Sequence, residues 1–545
     1  MSDKKSGRRR LRISQAEITI LCMLAVLLLS FFTRCLVVRR TGVNSAAYLY
    51  LPAELAEFCL LFPAGTASAL RRLSGRRAES GFYRNAKHLF NSAFLSVLVY
   101  CILAAVIWFL AASPLTGILP TGRLGLKPFL WFLPVLILDI LTLLFQSYME
   151  GISGGMGIGF SLLVKQTALF VLMFLFAGRL DEEGMRSAAM LKNEEVEYVY
   201  SSLNMIRLYI IAAGLGFAAM LFNWVSSSAD RARRIAGDQN RKREDSERLL
   251  MSLAVPSALA FLAINLCFTA FLVLRIIMHP DDSILAGSYS WGIYSGIFRS
   301  LFLIPFCLVG ILHLFSSREV ALGLEQGDTH EIRIKFSGML TDTALIAAFF
   351  CAVITGAAPA LVRGLFGTDS AMAVRMVRLS GLSVFAMCLA SATTFELMAI
   401  KRPLNAFVAG LAGLVPAVII IFSTGSEGFW DIYSIIPASL AYFTVLAVFN
   451  FASLGRYLHL TPDLPKQLYG PLVCMVITGA VCFAAVALLM LILPAVIVLV
   501  IALLLCIALF TFLASALKCI TSYTIKSLPL GRVIYRLLRM LRLMR

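Results

Sequence analysis

Polar stretches long enough to fold by themselves are what this sequence lacks. Between its apolar runs no segment exceeds about 25 residues, and only 14% of the chain is charged. That leaves no room for a catalytic domain outside a bilayer, which argues against a membrane glycosyltransferase or ligase and against enzyme activity in general. Acidic residues are also short, 30 against 48 Lys and Arg. Five histidines, among them His88, His313 and His330, do not cluster with Cys or carboxylates. Twelve cysteines, including Cys22, Cys101, Cys351, Cys388 and Cys506, stand singly without CxxC or metal-type spacing, so they read as small packing residues. No metal and no other cofactor is expected. GISGGMGIG, residues 151 to 159, looks like a phosphate loop but lacks the GK[ST] ending and a preceding strand, so it reads as a turn between spans.

What the chain does have is hydrocarbon. It is 60% hydrophobic over 545 residues, in repeated stretches of about twenty, which a soluble fold cannot hide. This is an all-α polytopic membrane protein. The first run, Ile18 to Val38, is too long and too poorly bounded by small residues for a cleaved signal, so it stays as the first span. Spans follow near 17 to 38, 44 to 70, 88 to 113, 128 to 149, 159 to 178 and 198 to 227. After a charged linker, ADRARRIAGDQNRKREDSER, eight more fall near 249 to 278, 288 to 316, 338 to 358, 372 to 398, 404 to 424, 432 to 455, 469 to 493 and 495 to 518, giving about 14. A net charge of +18 would suggest nucleic acid in a soluble protein. Here positive-inside placement accounts for it. About 34 of the 48 Lys and Arg fall on the N-terminal side, so both termini are expected in the cytoplasm and no nucleic-acid partner is expected.

The pattern F-T-x-x-L-V-x-R occurs twice, as FTRCLVVR at 32 to 39 and FTAFLVLR at 268 to 275. Each copy closes a long apolar span. The first and seventh spans therefore correspond, as in two six-span halves joined by the linker. The expected organisation is an N-terminal lobe at 1–228, a basic linker at 229–248, a C-terminal lobe at 249–456, two further spans at 457–518 and a tail at 519–545. In the tail Arg532, Arg536, Arg539, Arg542 and Arg545 recur every three or four residues among apolar ones, which predicts a basic amphipathic helix held by anionic lipid.

A cation deep in a span costs roughly 2.5 to 3.5 kcal/mol, so it must face protein or water and have a partner. Arg34, Arg39, Arg275 and Arg299 are the candidates for contacting an anionic substrate. Arg299, in YSGIFRSLFLIP, has no carboxylate near it in sequence and is the foremost of them. Against this stands internal pairing: Glu54 and Glu57 share one helical face and can hold Arg34, Asp281 or Asp282 can hold Arg275, and Arg39 and Arg40 can lie at the interface. Asp139 and Glu396 are candidates for ion coupling or for internal pairs, alongside Lys165, Arg207 and Arg378.

On RLLMSLAVPSALAFL, YSWGIYSGIFRSLFLIPFCLVGILHLFSSREVALGLEQGD, APALVRGLFG, ATTFELMAIKRPLNAFVAG and the tail beginning SLPLGR, the chain resembles the multidrug, oligosaccharidyl-lipid and polysaccharide (MOP) flippase superfamily. Within it the sequence is similar to the stage V sporulation and lipid II flippase branch. The resemblance runs from about residue 17 to the C-terminus. It implies two pseudo-symmetric six-helix lobes forming a V, a central cavity with alternating access, and two extra C-terminal helices with a groove for a polyprenyl tail. It also implies a bacterial cytoplasmic membrane, and a polyprenyl pyrophosphate-linked glycan whose pyrophosphate meets Arg34, Arg39, Arg275 and Arg299. Span two departs from the lipid II flippases, carrying Glu54 and Glu57 and no extended arginine set, which counts against lipid II itself. Two other readings stay open: a cation-coupled drug or metabolite exporter using Glu54, Glu57 and Asp139, and a non-transporting scaffold for envelope-synthesis proteins.

Overall fold

The computed structural model describes residues 15–153, 156–193, 195–238, 246–278, 284–326, 329–424, 432–458 and 464–519. Within these, 13 helices are long and apolar enough to cross a membrane. The first, Ile18–Glu79, is 62 residues, about 93 Å if straight, against a hydrocarbon core of about 30 Å. It is divided at Gly42, whose φ of 80° and ψ of 174° lie outside the helical region. A residue with Cβ would be strained there. Counted as two crossings, this helix brings the total to the fourteen expected, with the break inside the gap between the first two apolar runs.

In chain order the first half comprises α1 (Gln15–Glu79), α2 (Tyr83–Ile118), α3 (Leu126–Trp131), α4 (Leu133–Ser153), α5 (Met156–Leu191), α6 (Glu195–Ser226) and the polar α7 (Ser228–Ala236). The second half begins with α8 (Ser246–Met278), α9 (Ile284–Gly292), α10 (Arg299–Gln326), α11 (Thr329–Gly356) and the single turn α12 (Ala358–Leu361). It continues through α13 (Ala371–Leu379), α14 (Gly381–Ala399), α15 (Pro403–Thr424) and α16 (Ile435–Leu458), and α17 (Leu464–Leu489) and α18 (Ala495–Ala516) follow. Two π-helical turns, Ile293–Phe298 and Val362–Phe366, lie before α10 and after α12.

Composition explains which surfaces are bare. Leu95, Phe109, Phe222 and Leu491 are each more than 60% exposed, as expected of side chains that meet lipid. Lipid tails are as apolar as leucine, so helices there associate by close backbone approach, polar contacts and packing. Small residues mark those approaches. A Cβ on Gly65 would stand 2.4 Å from the Ala254 carbonyl oxygen and 2.8 Å from Ala258 Cβ, and one on Gly292 would stand 2.0 Å from the Val43 carbonyl oxygen.

These two contacts join the halves at opposite ends. Gly65 on α1 meets α8 near the end where the chain begins, and Gly292 closing α9 meets the start of the second α1 crossing. Arg39 and Gly122 add to the latter end, through Gly364 and Ile284 respectively. The seam between the halves therefore runs along α1 and is in contact at both ends.

Candidate functional site

Between those two ends lies a polar cluster. Arg299, the first residue of α10, is 4% exposed. Its Nη1 lies 3.1 Å from Glu54 Oε1, its Nη2 donates to Glu57 Oε2, and its guanidinium carbon sits 5.0 Å from the centroid of the Phe268 ring. Glu54 and Glu57 belong to α1, three residues apart and hence on one face, so one guanidinium from the second half closes on two carboxylates of the first. The bare planar fork of Arg suits this bridging better than a lysine ammonium would. No carboxylate stands near Arg299 in sequence, and the two it meets in the fold lie 242 and 245 residues away.

Arg34 is half-buried on the first crossing, with its guanidinium 4.7 Å from the centroid of the Tyr50 ring. It is within electrostatic reach of Glu54 and of Cys307 on α10, which puts it beside the same cluster. The direct pairing of Arg34 with Glu54 or Glu57 is not what forms; Arg299 takes both. Arg39 is exposed at the far end of the seam, where Nη1 donates to the Gly364 carbonyl oxygen at 3.0 Å. Gly364 lies in a π turn, and Gly367 beyond it adopts φ 68° with Arg39 Cγ 3.0 Å from where a Cβ would sit. Arg39 is thus a clasp between the halves and not a lining residue of the central cluster. Arg275 lies on α8, but its side chain is outside the described residues, as are Asp281, Asp282, residues 239–245 of the linker and the tail beyond 519. Among the three arginines whose side chains are described, Arg34 and Arg299 share the central cluster and Arg39 does not.

The other charges singled out within spans also find partners. Lys165 Nζ on α5 lies 2.5 Å from Asp139 Oδ1 on α4. Glu396 Oε1 on α14 lies 3.1 Å from His313 Nδ1 on α10, whose Nε2 is 2.9 Å from Thr343 Oγ1 on α11. Arg207 bonds Asn204 and lies over Trp131, and Arg378 lies over Phe483. His313, read from sequence as a loop or interface residue, is the one whose role sequence missed; its place mid-way along an apolar run, seventeen residues before His330, was the available signal.

Around the cluster Arg34 Nη1, Tyr50 Oη, Trp291 Nε1, Tyr294 Oη and Arg299 Nε are buried without a hydrogen-bond partner, and so is one acceptor, Glu54 Oε1. Trp291 and Tyr294 stand next to each other, ring centroids 4.8 Å apart, and Tyr294 is electrostatically coupled to Arg299, Glu54 and Glu57. The first five can donate. Leaving a buried donor unmet costs roughly 1 to 3 kcal/mol, so such a group normally has a partner of some kind. The π turn Ile293–Phe298 ends directly before Arg299, and π turns inside helices frequently accompany functional sites.

No family model matches the sequence, and no curated protein is similar to it in sequence. Solved structures do match. The lipid II flippase MurJ in an inward closed conformation aligns at TM-score 0.61 and 13% identity, covering 92% of this chain and 98% of that one. A multidrug resistance MATE family transporter of the MOP superfamily, inward-facing, aligns at TM-score 0.60 and 12% identity, covering 81% and 98%. The eukaryotic MATE transporter AtDTX14 aligns at TM-score 0.56 and 15% identity, covering 85% and 100%. With thirteen long apolar helices and these likenesses along nearly its whole length, the chain is a multi-pass membrane protein with the fold of the MOP superfamily.

Proposed function

We propose that the protein is an alternating-access flippase that carries a polyprenyl pyrophosphate-linked oligosaccharide across the membrane, with its lobes parting and closing along the α1 seam. The observation that carries this reading is the surplus of donors in the seam: Arg34 Nη1, Trp291 Nε1, Tyr294 Oη and Arg299 Nε have no acceptor, against one unmet acceptor, Glu54 Oε1, and Arg299 already pairs with both carboxylates. Such a surface fits an acceptor-rich group such as a phosphate or a sugar.

The mechanism follows from ion exchange. Parting the lobes pulls Arg299 away from Glu54 and Glu57, and an uncompensated charge in a low-dielectric site costs about 3 to 5 kcal/mol. A phosphate offers the same bidentate geometry as a carboxylate, so an incoming headgroup replaces the partners that Arg299 loses. Without cargo the seam re-forms, which keeps the path from leaking. The broader coverage of the lipid II flippase, whose match spans 92% of this chain against 81% for the inward-facing MATE transporter, is in keeping with a role for α17 and α18 beside a lipid tail.

The second reading is a MATE-like exporter of cations, favoured by the presence of Glu54 and Glu57 in the seam. Reconstitution in proteoliposomes with a fluorescent polyprenyl pyrophosphate glycan separates the two. Glycan-lipid translocation that is lost in Arg299→Gln and Arg34→Gln supports the flippase. Cation efflux that survives those changes and vanishes in Glu57→Gln, with no movement of the glycan lipid, overturns it.

A further inference from the structure

A cavity of about 210 Å³ opens at the end of the seam opposite Gly42, well apart from the Arg299 cluster. Its walls include Arg72 and Ser68 from α1, Ser257 from α8, and Lys401, Arg402 and Asn405 from the turn between α14 and α15. No Asp or Glu lines it. It is smaller than the roughly 300 to 1,000 Å³ of sites for drug-sized molecules. It suits a single polar headgroup. Positive-inside bias places cations on this face but does not by itself gather Arg72, Lys401 and Arg402 round one hollow with hydroxyl and amide groups; Lys401 and Arg402 stand exposed at its mouth, the Arg402 guanidinium 4.7 Å from the Tyr457 ring centroid.

The turn that supplies two of the cations is costly. Arg402 N donates to the Leu397 carbonyl at 2.8 Å and Lys401 N to that of Met398 at 3.3 Å, the paired bonds that end a helix with a left-handed residue. That residue is normally glycine. Here it is Lys401, at φ 62°. A lysine with a strained backbone conformation at the rim of a cavity is the kind of outlier that marks a binding site. The turn then leads into α15, 22 residues long with Pro403 at its start, and the first residues of that helix, Pro403, Leu404 and Asn405, also line the hollow. Helix dipole and side chains thus favour the same charge.

We propose that this cavity binds a phosphate group, and that in doing so it ties the lobes together beside the Gly65–Ala254 contact, since its walls come from both halves. The phosphate belongs either to a lipid headgroup from the adjacent leaflet or to a soluble phosphate. Either way an occupied site holds this end of the seam shut until the phosphate leaves.

The test uses the full-length protein in nanodiscs, with two arms. Native mass spectrometry in phosphatidylglycerol discs reads a retained lipid headgroup, and equilibrium dialysis of labelled pyrophosphate in phosphatidylcholine discs reads a soluble ligand. A saturable adduct in either arm that weakens at least tenfold in Lys401→Gly/Arg402→Gln, yet persists in Arg76→Gln on the same face outside the cavity, supports the site and identifies its source. Lys401→Gly alone relieves the strained turn, so its thermal midpoint should not fall; this separates lost binding from lost folding. No saturable adduct in either arm, or one indifferent to the double substitution, overturns the proposal. Both arms read binding and leave Arg299 intact. A protein that keeps the adduct but moves no glycan lipid sinks the cargo reading alone, and one that moves glycan lipid without the adduct sinks this site alone.

Discussion

Arg299 at the start of α10 is held by Glu57 on α1, as it is by Glu54, and this guanidinium joins the two halves of the chain between the two ends of the seam. Arg299 and Glu54 are almost fully buried while Glu57 is one-third exposed, so the Arg299 guanidinium is a charge with nowhere else to go. Arg299→Ala leaves Glu54 and Glu57 facing each other without a counter-ion. The expected loss is about 3 to 5 kcal/mol, read as a lowered thermal midpoint in detergent. The triple variant Arg299→Met/Glu54→Gln/Glu57→Gln removes every charge and should recover most of it. Equal instability of the single and triple variants would show that the bridge is not what the first change removed.

The two glycine contacts predict opposite conformational traps. Gly65→Ala drives a methyl into α8, so the end of the seam near Ala254 should open; Gly292→Ala drives one into Val43, so the Gly42 end should open. Pairs of spin labels across each end, measured by double electron-electron resonance, should lengthen at the substituted end and not at the other. Lengthening at both ends in either variant would mean that the halves do not rock about the central cluster.

Lys165 and Asp139 make a pair within the first half, with 14% and 27% of their side chains exposed. Helix-to-helix polar pairs inside bilayers average well under the value of a fully buried bridge, about 0.6 kcal/mol in one measured protein. A double-mutant cycle on Lys165→Met and Asp139→Leu should therefore give a coupling of roughly 0.5 to 2 kcal/mol, clearly smaller than the Arg299 cycle. A coupling as large as that of Arg299 would assign this pair a structural weight its exposure does not suggest.

Glu396, 1% exposed, anchors His313 and through it Thr343 across three helices. Glu396→Gln preserves shape and one acceptor, so its cost should be small. Glu396→Ala removes the partner and opens a gap, with an expected loss of about 1 to 3 kcal/mol. The comparison of the two midpoints checks this, and equal losses would place the effect in charge and not in the hydrogen-bonded network.

Much of the architecture is legible in the residues because a bilayer allows few solutions. Apolar runs of about twenty must become helices, since every backbone group has to be paired within the segment. The break at Gly42 falls in the short gap TGVN, and the π turn Val362–Phe366 falls within APALVRGLFG, a motif that sequence singled out. Glu54 and Glu57 could be placed on one face from their spacing alone. Which cation they hold could not. Arg34, Arg39, Arg40 and Arg71 are all nearer along the chain, yet the partner comes from 242 residues beyond Glu57, because packing of α10 against α1 and not sequence proximity decides who meets them.

The chain's composition by itself determined a polytopic helical membrane protein of about fourteen crossings, because hydrophobic length acts locally on each segment. Only the tertiary structure decided that Arg299 bridges the halves, that Arg39 clasps a backbone carbonyl at the far end, and that Lys401, Arg402 and Arg72 share one hollow. Those are relations between segments, and a side chain's partner depends on which helix faces fit closely enough to exclude lipid.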